Sequence, residues 1–357
     1  MPGSITVALG QQVIRGQVIA RCGNSGNTSE PHVHFQLNDG SSFFTSAGLP
    51  IRFKNVWAQE NGKTCPAGYI VKGNPWRTGF REEAVIFLFS YKGGIEMNDQ
   101  TLEKLAQSLT GDSADIIPFL PYLLQDLWEL GSSPQEMLSL IKNHIPLNEG
   151  TRVLDLGCGK GAVAIRLAQE LGCCCKGIDL LPDFVQYAKE KAAEYGVNDL
   201  CEFTVGDVVE AVQTERGYDL VIYGAVGNIL GSPYETLQAL ADTIKPGGHI
   251  LLDDAYLEEG NGGAPLFQGD YPTLSEWKSV INEAGLKLAA LHTPDEENPS
   301  HAQDLINIKR RAEELSRAYP SKRELFARYV RNQQNEYADL ESSLMGVVFL
   351  LNKVNKQ

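Results

Sequence analysis

The string Val153-Leu-Asp155-Leu-Gly157-Cys-Gly159-Lys-Gly161 constrains this chain more than any other stretch. Its apolar half reads as a strand, and its glycines fall where the chain must turn tightly into the helix that Ala162 to Leu171 predicts. Glycine reaches backbone conformations that other residues avoid, and it lets a ligand approach the main chain closely. After Asn148 the pattern of strand, turn and helix repeats: Thr151 to Leu156 then Ala162 to Leu171, Cys173 to Asp179 then Phe184 to Tyr195, followed by strands at Cys201 to Val205 and Tyr218 to Tyr223. This alternation predicts a parallel sheet with helices on its faces, a fold that binds ligands beyond the carboxyl ends of its strands. Asp155 puts an anion two positions before the first glycine, where it would repel a pyrophosphate and suit a cationic ligand. Gly157, Gly159 and Ala162 also satisfy the looser dinucleotide pattern G-x-G-x-x-G/A, so a nicotinamide-dependent oxidoreductase stays open as an alternative.

The full string resembles motif I of the class I S-adenosylmethionine-dependent methyltransferases, and further likenesses follow in the family's order. Gly177-Ile-Asp179 ends the second strand, where a carboxylate can grip a ribose diol with two hydrogen bonds. Gly206-Asp207-Val208 follows the third strand, Tyr218-Asp219-Leu-Val-Ile-Tyr223-Gly224 resembles the fourth, and Lys245-Pro-Gly-Gly248 resembles the turn before the fifth. The resemblance covers about Met97 to Val354 and implies a Rossmann-like α/β sheet that binds S-adenosylmethionine. It implies cofactor contacts from Asp155, Gly157, Cys158, Gly159, Gly161, Asp179, Leu180, Asp207, Val208, Tyr223 and Gly224. For a strand-end carboxylate the alternative is a helix cap or turn residue.

Methyl transfer needs an acceptor lone pair held in line with the methyl group and water kept out; a base matters only where the acceptor must lose a proton. Tyr223, Asp253, Asp254 and Tyr256 are candidates to touch the acceptor, the last three because they follow the fifth strand Ile250-Leu-Leu252. Tyr223, Asp254 and Tyr256 are taken as the catalytic set, against the alternative that they cap a turn or simply pack. His292 and His301 read as surface or core histidines. Leu102, Leu105 and Leu109, then Leu123, Leu124, Leu127 and Leu130, recur at helical spacing, and Ser133-Pro134 starts another helix. Beyond Gly260, Leu274 to Ala284 predicts a helix and Leu286 to His292 a strand. Leu305, Ile308, Ala312 and Leu315 stripe a longer helix ended by Pro320, Ser321 and Glu324 offer a capping box for the next, and Gly346 to Leu351 is a final strand. This helical insert either covers a pocket or elaborates the surface.

Residues 3 to 75 read as all-β, with short alternating runs such as Ile5-Thr-Val-Ala-Leu9 and Val33-His-Phe-Gln-Leu37. On a strand His32 and His34 share a face, as two imidazoles around zinc require. The segment resembles the carboxyl-terminal half of the lysostaphin-type zinc endopeptidases; the likeness implies His34 as a metal ligand and His32 as an assistant in catalysis. That family's upstream His-x-x-x-Asp ligands have no place here, and one protein ligand does not hold catalytic zinc, so zinc is not expected as a cofactor. A wall-binding or peptidase-related role is the second functional reading. The expected organisation is a truncated peptidase-like fragment at 1–75, a linker at 76–96 and a methyltransferase domain at 97–357. Lys92-Gly93-Gly94 before Met97 could be encoded by AAAGGAGG, a ribosome-binding sequence. The junction therefore reads either as two genes in one frame, with Met97 the native start, or as a true fusion.

Charge narrows the partners. Residues 1–96 carry a net +3 and the remainder −17, and an acidic surface repels phosphate backbones. A small-molecule acceptor is expected, with neither nucleic acid nor membrane as partner and the oligomeric state open. No basic start with an apolar core follows Met1, and the longest apolar run, Ala84 to Phe89, falls far short of the roughly 20 residues that span a bilayer. Seven cysteines, three of them adjacent at Cys173, Cys174 and Cys175, fit reduced thiols, so cytoplasmic residence is expected.

Overall fold

The computed structural model describes residues 37–38, 48–49, 52–60, 63–69, 99–258, 271–293 and 300–353. The chain divides into two units, Met1–Ile95 and Glu96–Gln357. In the first, β1 (Leu37–Asn38) pairs antiparallel with β2 (Gly48–Leu49), and β3 (Arg52–Glu60) pairs antiparallel with β4 (Lys63–Tyr69). His32, His34 and the junction at 76–96 lie outside the described residues.

The second unit opens with α1 (Asp99–Ser108), a 3-10 turn at Ala114–Phe119, α2 (Leu120–Leu123) and α3 (Pro134–His144). Ser133 caps α3 by accepting from the Glu136 N–H, with Pro134 in the first turn as the sequence predicts. The leucine stripe from Leu123 to Leu130 does not form the expected helix: α2 ends at Leu123, the first of these leucines, and residues 124–130 run on as turns and bends. Seven strands then form one sheet: β5 (Arg152–Leu156), β6 (Cys174–Asp179), β7 (Cys201–Val205), β8 (Tyr218–Gly224), β9 (Ile244–Leu257), β10 (Leu286–His292) and β11 (Leu344–Lys353). Their order is β10-β11-β9-β8-β5-β6-β7.

The helices between strands are α4 (Ala162–Leu171), α5 (Pro182–Glu194), α6 (Val208–Thr214), α7 (Pro233–Thr243) and α8 (Leu274–Glu283). The insert supplies α9 (Ser300–Ala318) and α10 (Arg323–Leu340) between β10 and β11. β11 runs antiparallel to both β9 and β10, so the sheet is mixed where the sequence rhythm predicts a parallel one. The insert leaves from and returns to the carboxyl edge, and the chain must re-enter the sheet in the opposite sense.

Strand alternation sorts the core. Val153, Leu220, Ile222, Leu251 and Val348 face α3, α4 and α5, while Leu154, Leu156, Val221, Tyr223, Ile250 and Leu252 face α6, α7 and α8. A third cluster joins the two ends of the unit: Leu105 and Ala106 of α1 with Phe119, Leu120 and Leu123 meet Ile308, Ala312 and Leu315 of α9 and Phe326 and Tyr329 of α10. Polar ties reinforce it. Arg311 grips Asp126 with Nε at 2.6 Å and Nη2 at 2.8 Å, and the Thr110 hydroxyl donates to Glu336 at 2.6 Å.

Ser321 does not form the expected capping box. It lies in a 3-10 turn, Pro320–Lys322, the N-cap of α10 is Lys322, and Glu324 instead accepts from Arg331 at 2.7 Å. Capping boxes close α7 through Ser232 and Glu235 and α8 through Thr273 and Glu276. Among the described residues no helix is long and apolar enough to cross a membrane.

Phe326 is fully buried between the two halves of the third cluster. Phe326→Ala is expected to cost about 3–5 kcal/mol of unfolding free energy, read from the midpoint of equilibrium urea denaturation.

Candidate functional site

The sheet reverses its winding between β5 and β8: the chain moves outward from β5 through β6 to β7, then returns to the other side of β5. A crevice opens there at the carboxyl edge, the place where open α/β sheets hold ligands. The glycine turn after β5 shapes its floor. Gly157 and Cys158 both donate backbone N–H bonds to the Ile178 carbonyl at the end of β6, at 2.8 and 3.1 Å. Gly161 adopts φ +74° as the N-cap of α4, and a Cβ there would meet the Phe203 ring at 2.7 Å. Glycine at this position therefore answers both a left-handed backbone and a close approach. Because Gly161 has no side chain to cap α4, the Asp155 carboxylate does so, accepting from the Ala164 N–H.

Asp179 sits at the tip of β6 and is 8% exposed. Its Oδ2 accepts from the Gly159 N–H at 2.8 Å and its Oδ1 from the Leu181 N–H at 2.9 Å. Burial pushes the Asp179 carboxyl up to about 6 against these stabilising bonds. Burial, and then repulsion from Asp179, pushes Asp155 up to about 7. The Cys158 thiol beside them is raised far above its ordinary range, first by burial and then by the two carboxylates.

These groups line a cavity with about 910 Å³ of open space, its mouth included. Of the residues that the resemblance names for the cofactor, Asp155, Gly157, Cys158, Gly159, Asp179, Leu180, Asp207, Val208 and Gly224 lie on its wall; Gly161 and Tyr223 do not. Asp207 also caps α6, accepting from the Val209 N–H at 2.8 Å, so the capping alternative and the wall position both hold. Tyr223 is a correction: it is 1% exposed, in the apolar layer facing α6 and α7, and its hydroxyl donates to the Gly227 carbonyl at 3.0 Å. On β8 it is Ile222 and Gly224 that turn to the cavity.

Asp254 and Tyr256 are also misplaced by the sequence reading. β9 continues to Leu257, paired with β11 through Asp254↔Val347 and Tyr256↔Met345, so these residues sit within a strand rather than in a loop after it. Neither lines the cavity. Asp254 accepts from its neighbour's Ala255 N–H at 2.7 Å, and burial pushes it up to about 6.

The wall includes residues with no local signature. Thr101, Leu105, Ser108 and Leu109 reach it from α1 and its end, and Leu130, Ser132, Ala225 and Ile229 complete the side away from Asp179. Ala225 has φ 53°, a signal visible only in the backbone. Lys160, inside the glycine string, is 3% exposed and donates to the Leu124 and Leu127 carbonyls, while Trp128 Nε1 donates back to the Lys160 carbonyl at 3.1 Å. The described helices of the insert, α9 and α10, buttress α1 from behind, and none of their residues is among those that line the cavity. Among the described residues no three His, Cys, Asp or Glu side chains are placed to share a metal ion.

A family profile described as "Methyltransferase domain" matches residues 147–334, and the chain belongs to that family. Residues 3–45 match a second profile, "Peptidase family M23". The chain is 30% identical over 173 residues to aklanonic acid methyltransferase DauC of Streptomyces sp. (strain C5), covering 47% of this chain and 72% of that protein. It is 27% identical over 158 residues to 27-O-demethylrifamycin SV methyltransferase of Amycolatopsis mediterranei (strain S699), covering 40% of this chain and 56% of that one, which is little more than half its length. Among solved structures, the S-adenosylmethionine-dependent methyltransferase from Thiobacillus denitrificans in complex with S-adenosyl-L-homocysteine shares the fold, with TM-score 0.56 and 22% identity over 65% of this chain and 97% of that chain.

The two raised carboxyls make ligand binding pH-dependent. A positive ligand favours their ionised forms, so affinity for S-adenosylmethionine should rise between about pH 5 and pH 8 as both lose protons, and level off above. Isothermal titration should read a gain of about 10-fold across that window, smaller for the uncharged sulfur of S-adenosylhomocysteine.

Proposed function

We propose that the second unit transfers a methyl group from S-adenosylmethionine to a small-molecule acceptor. The observation that carries this reading is the pair of buried carboxyls, Asp155 and Asp179, on either side of a glycine turn at the switch point of the sheet. The bound nucleoside would supply a methyl group already activated by its sulfonium. Asp179, which has lone pairs beyond those given to Gly159 and Leu181, would take the ribose hydroxyls, and Asp207 and Val208 would border the base. Gly157 adopts φ +71° and packs against Val226, which a Cβ there would meet at 2.6 Å.

On the opposite wall Leu105, Leu109, Leu130, Val226 and Ile229 exclude water and bind apolar surface, with Thr101, Ser108 and Ser132 as the polar points. Lys104 Nζ donates to the Ile229 carbonyl at 3.2 Å and so ties the roof to the rim. Holding acceptor and donor in line can account for about 7–11 kcal/mol of the barrier in favourable cases. The names of the curated relatives, a 27-O-demethylrifamycin SV methyltransferase and an aklanonic acid methyltransferase, support a small acceptor.

For the chain as a whole we propose a methyltransferase domain at 97–357, a linker at 76–96, and a peptidase-like fragment at 1–75 whose likeness to the M23 family is supported by the match at 3–45. Within that fragment His34 stands in the position that the likeness assigns to zinc.

Calorimetric titration with S-adenosylhomocysteine, NAD and zinc tests the reading. Saturable binding of the first alone is expected, and Asp179→Ala should weaken it by about 1–3 kcal/mol through loss of charge-assisted hydrogen bonds. Tight NAD binding with no response to S-adenosylhomocysteine would favour the oxidoreductase instead.

A further inference from the structure

The acceptor side of the cavity has one polar point backed by an acid. Ser132 lines the wall and is 7% exposed, yet its Oγ makes no aligned hydrogen bond among the described residues. The hydroxyl occupies the space beside Gly224, where a Cβ would lie 2.5 Å from Oγ. Behind it stands Asp253, the register partner of Gly224, whose anion Ser132 stabilises. The same register continues outward: Asp253 pairs with Val348 of β11, and Val348 pairs with His292 of β10. Directly paired residues share a face, so Gly224, Asp253, Val348 and His292 form one row on the α3 side, with strands about 4.8 Å apart.

Glu136 lies in the first turn of α3. It acts electrostatically on Asp253, and its Oε2 lies 3.8 Å from His292 Nε2. The His292 side chain is 39% exposed and that of Glu136 29%, so this end of the row meets solvent. The charged groups acting on Asp253 are thus Glu136 from α3 and Asp254 beside it on β9, with His292 beyond Glu136. The other acids on the wall, Asp155, Asp179 and Asp207, lie on the nucleoside side.

We propose that Ser132 and Asp253 remove the proton from a hydroxyl-bearing acceptor such as a phenol or enol, and that Glu136 and His292 pass it to solvent. This rests on the methyltransferase reading and adds the acceptor class. The acceptor O–H gives its proton to Ser132 Oγ as the serine's own proton moves to the Asp253 carboxylate. The acceptor oxygen forms a bond to the methyl carbon, the carbon–sulfur bond breaks with its electron pair going to sulfur, and the proton leaves Asp253 through Glu136 and His292. Burial, the leading cause, pushes the Asp253 carboxyl up to about 7, where a base is half-ionised near neutral pH. Ser132 would be the catalytic residue, in contact with the acceptor; Asp253, Glu136 and His292 act through it.

The test combines S-adenosylhomocysteine titration, infrared titration of carboxyl groups in that complex, and transfer of labelled methyl from S-adenosylmethionine to a panel of phenols, tertiary amines and thioethers. In the wild type we expect phenol methylation with a rate rising through about pH 7, and a carboxyl band that titrates in the same range. Asp253→Asn should lower that rate about 100-fold at saturating S-adenosylmethionine, flatten the rise and remove one carboxyl's share of the band, leaving the share of Asp155, Asp179 and Asp254, with S-adenosylhomocysteine affinity within about twofold. Ser132→Ala, a smaller excision, should lower the rate while keeping the band, and it decides the matter if Asp253→Asn fails to fold. An undiminished rate in the folded variants would overturn the proposal, as would transfer only to amines or thioethers, or no transfer to any phenol by a protein that binds the nucleoside. Absence of nucleoside binding would refute the underlying methyltransferase reading, a failure visible before any acceptor is added.

Discussion

Charge removed from water at the carboxyl edge of the sheet governs the rest of the second unit. Asp155 and Asp179 are 4% and 8% exposed, and an acid in such a place resists ionisation unless something compensates it. Part of the compensation is the main chain: Ala164, Gly159 and Leu181 each turn an N–H toward a carboxylate. Those N–H groups can arrive only because the backbone coils tightly there, so the glycines and the acids form one device. A cationic ligand would supply the remainder, and each increment of dryness from the roof would strengthen its hold.

Lys160 shows how floor and roof are joined. It belongs to the glycine turn, yet its ammonium donates to two carbonyls just beyond α2, and its own carbonyl receives the Trp128 N–H. The segment that carries Trp128, Leu130 and Ser132 to the cavity is thereby anchored to the turn that shapes the cavity floor. A basic residue inside a glycine string invites a phosphate reading, but here the geometry assigns it to helix-end carbonyls.

What could be read from sequence was what is local. The period of apolar residues located β5 to β8 and the helices between them, and the acids two positions before or directly after a glycine fall on the wall of the carboxyl-edge cavity. Distant pairing hid the rest. Asp254 and Tyr256 were expected in a loop because nothing near them reveals that β11 prolongs β9 to Leu257. Tyr223 failed on parity, since a strand shows its face only once a partner layer is known. Ser132, Ile229 and Thr101 reach the cavity through packing between segments far apart in the chain, and Ser321 lost its cap because Pro320 began a 3-10 turn instead. His32 and His34 of the peptidase-like stretch fall outside the described residues.

The position of β11 has a consequence for biogenesis. Of the seven strands of this sheet it is the last to leave the ribosome, yet it becomes a wedge between β9 and β10 rather than a border. Until it arrives β10 has no neighbour to hydrogen-bond, the outer edge of β9 is bare, and α1 waits for the helices that will shield it. The nascent chain therefore holds a sticky, unfinished margin late into translation, the interval in which chaperones have most to protect.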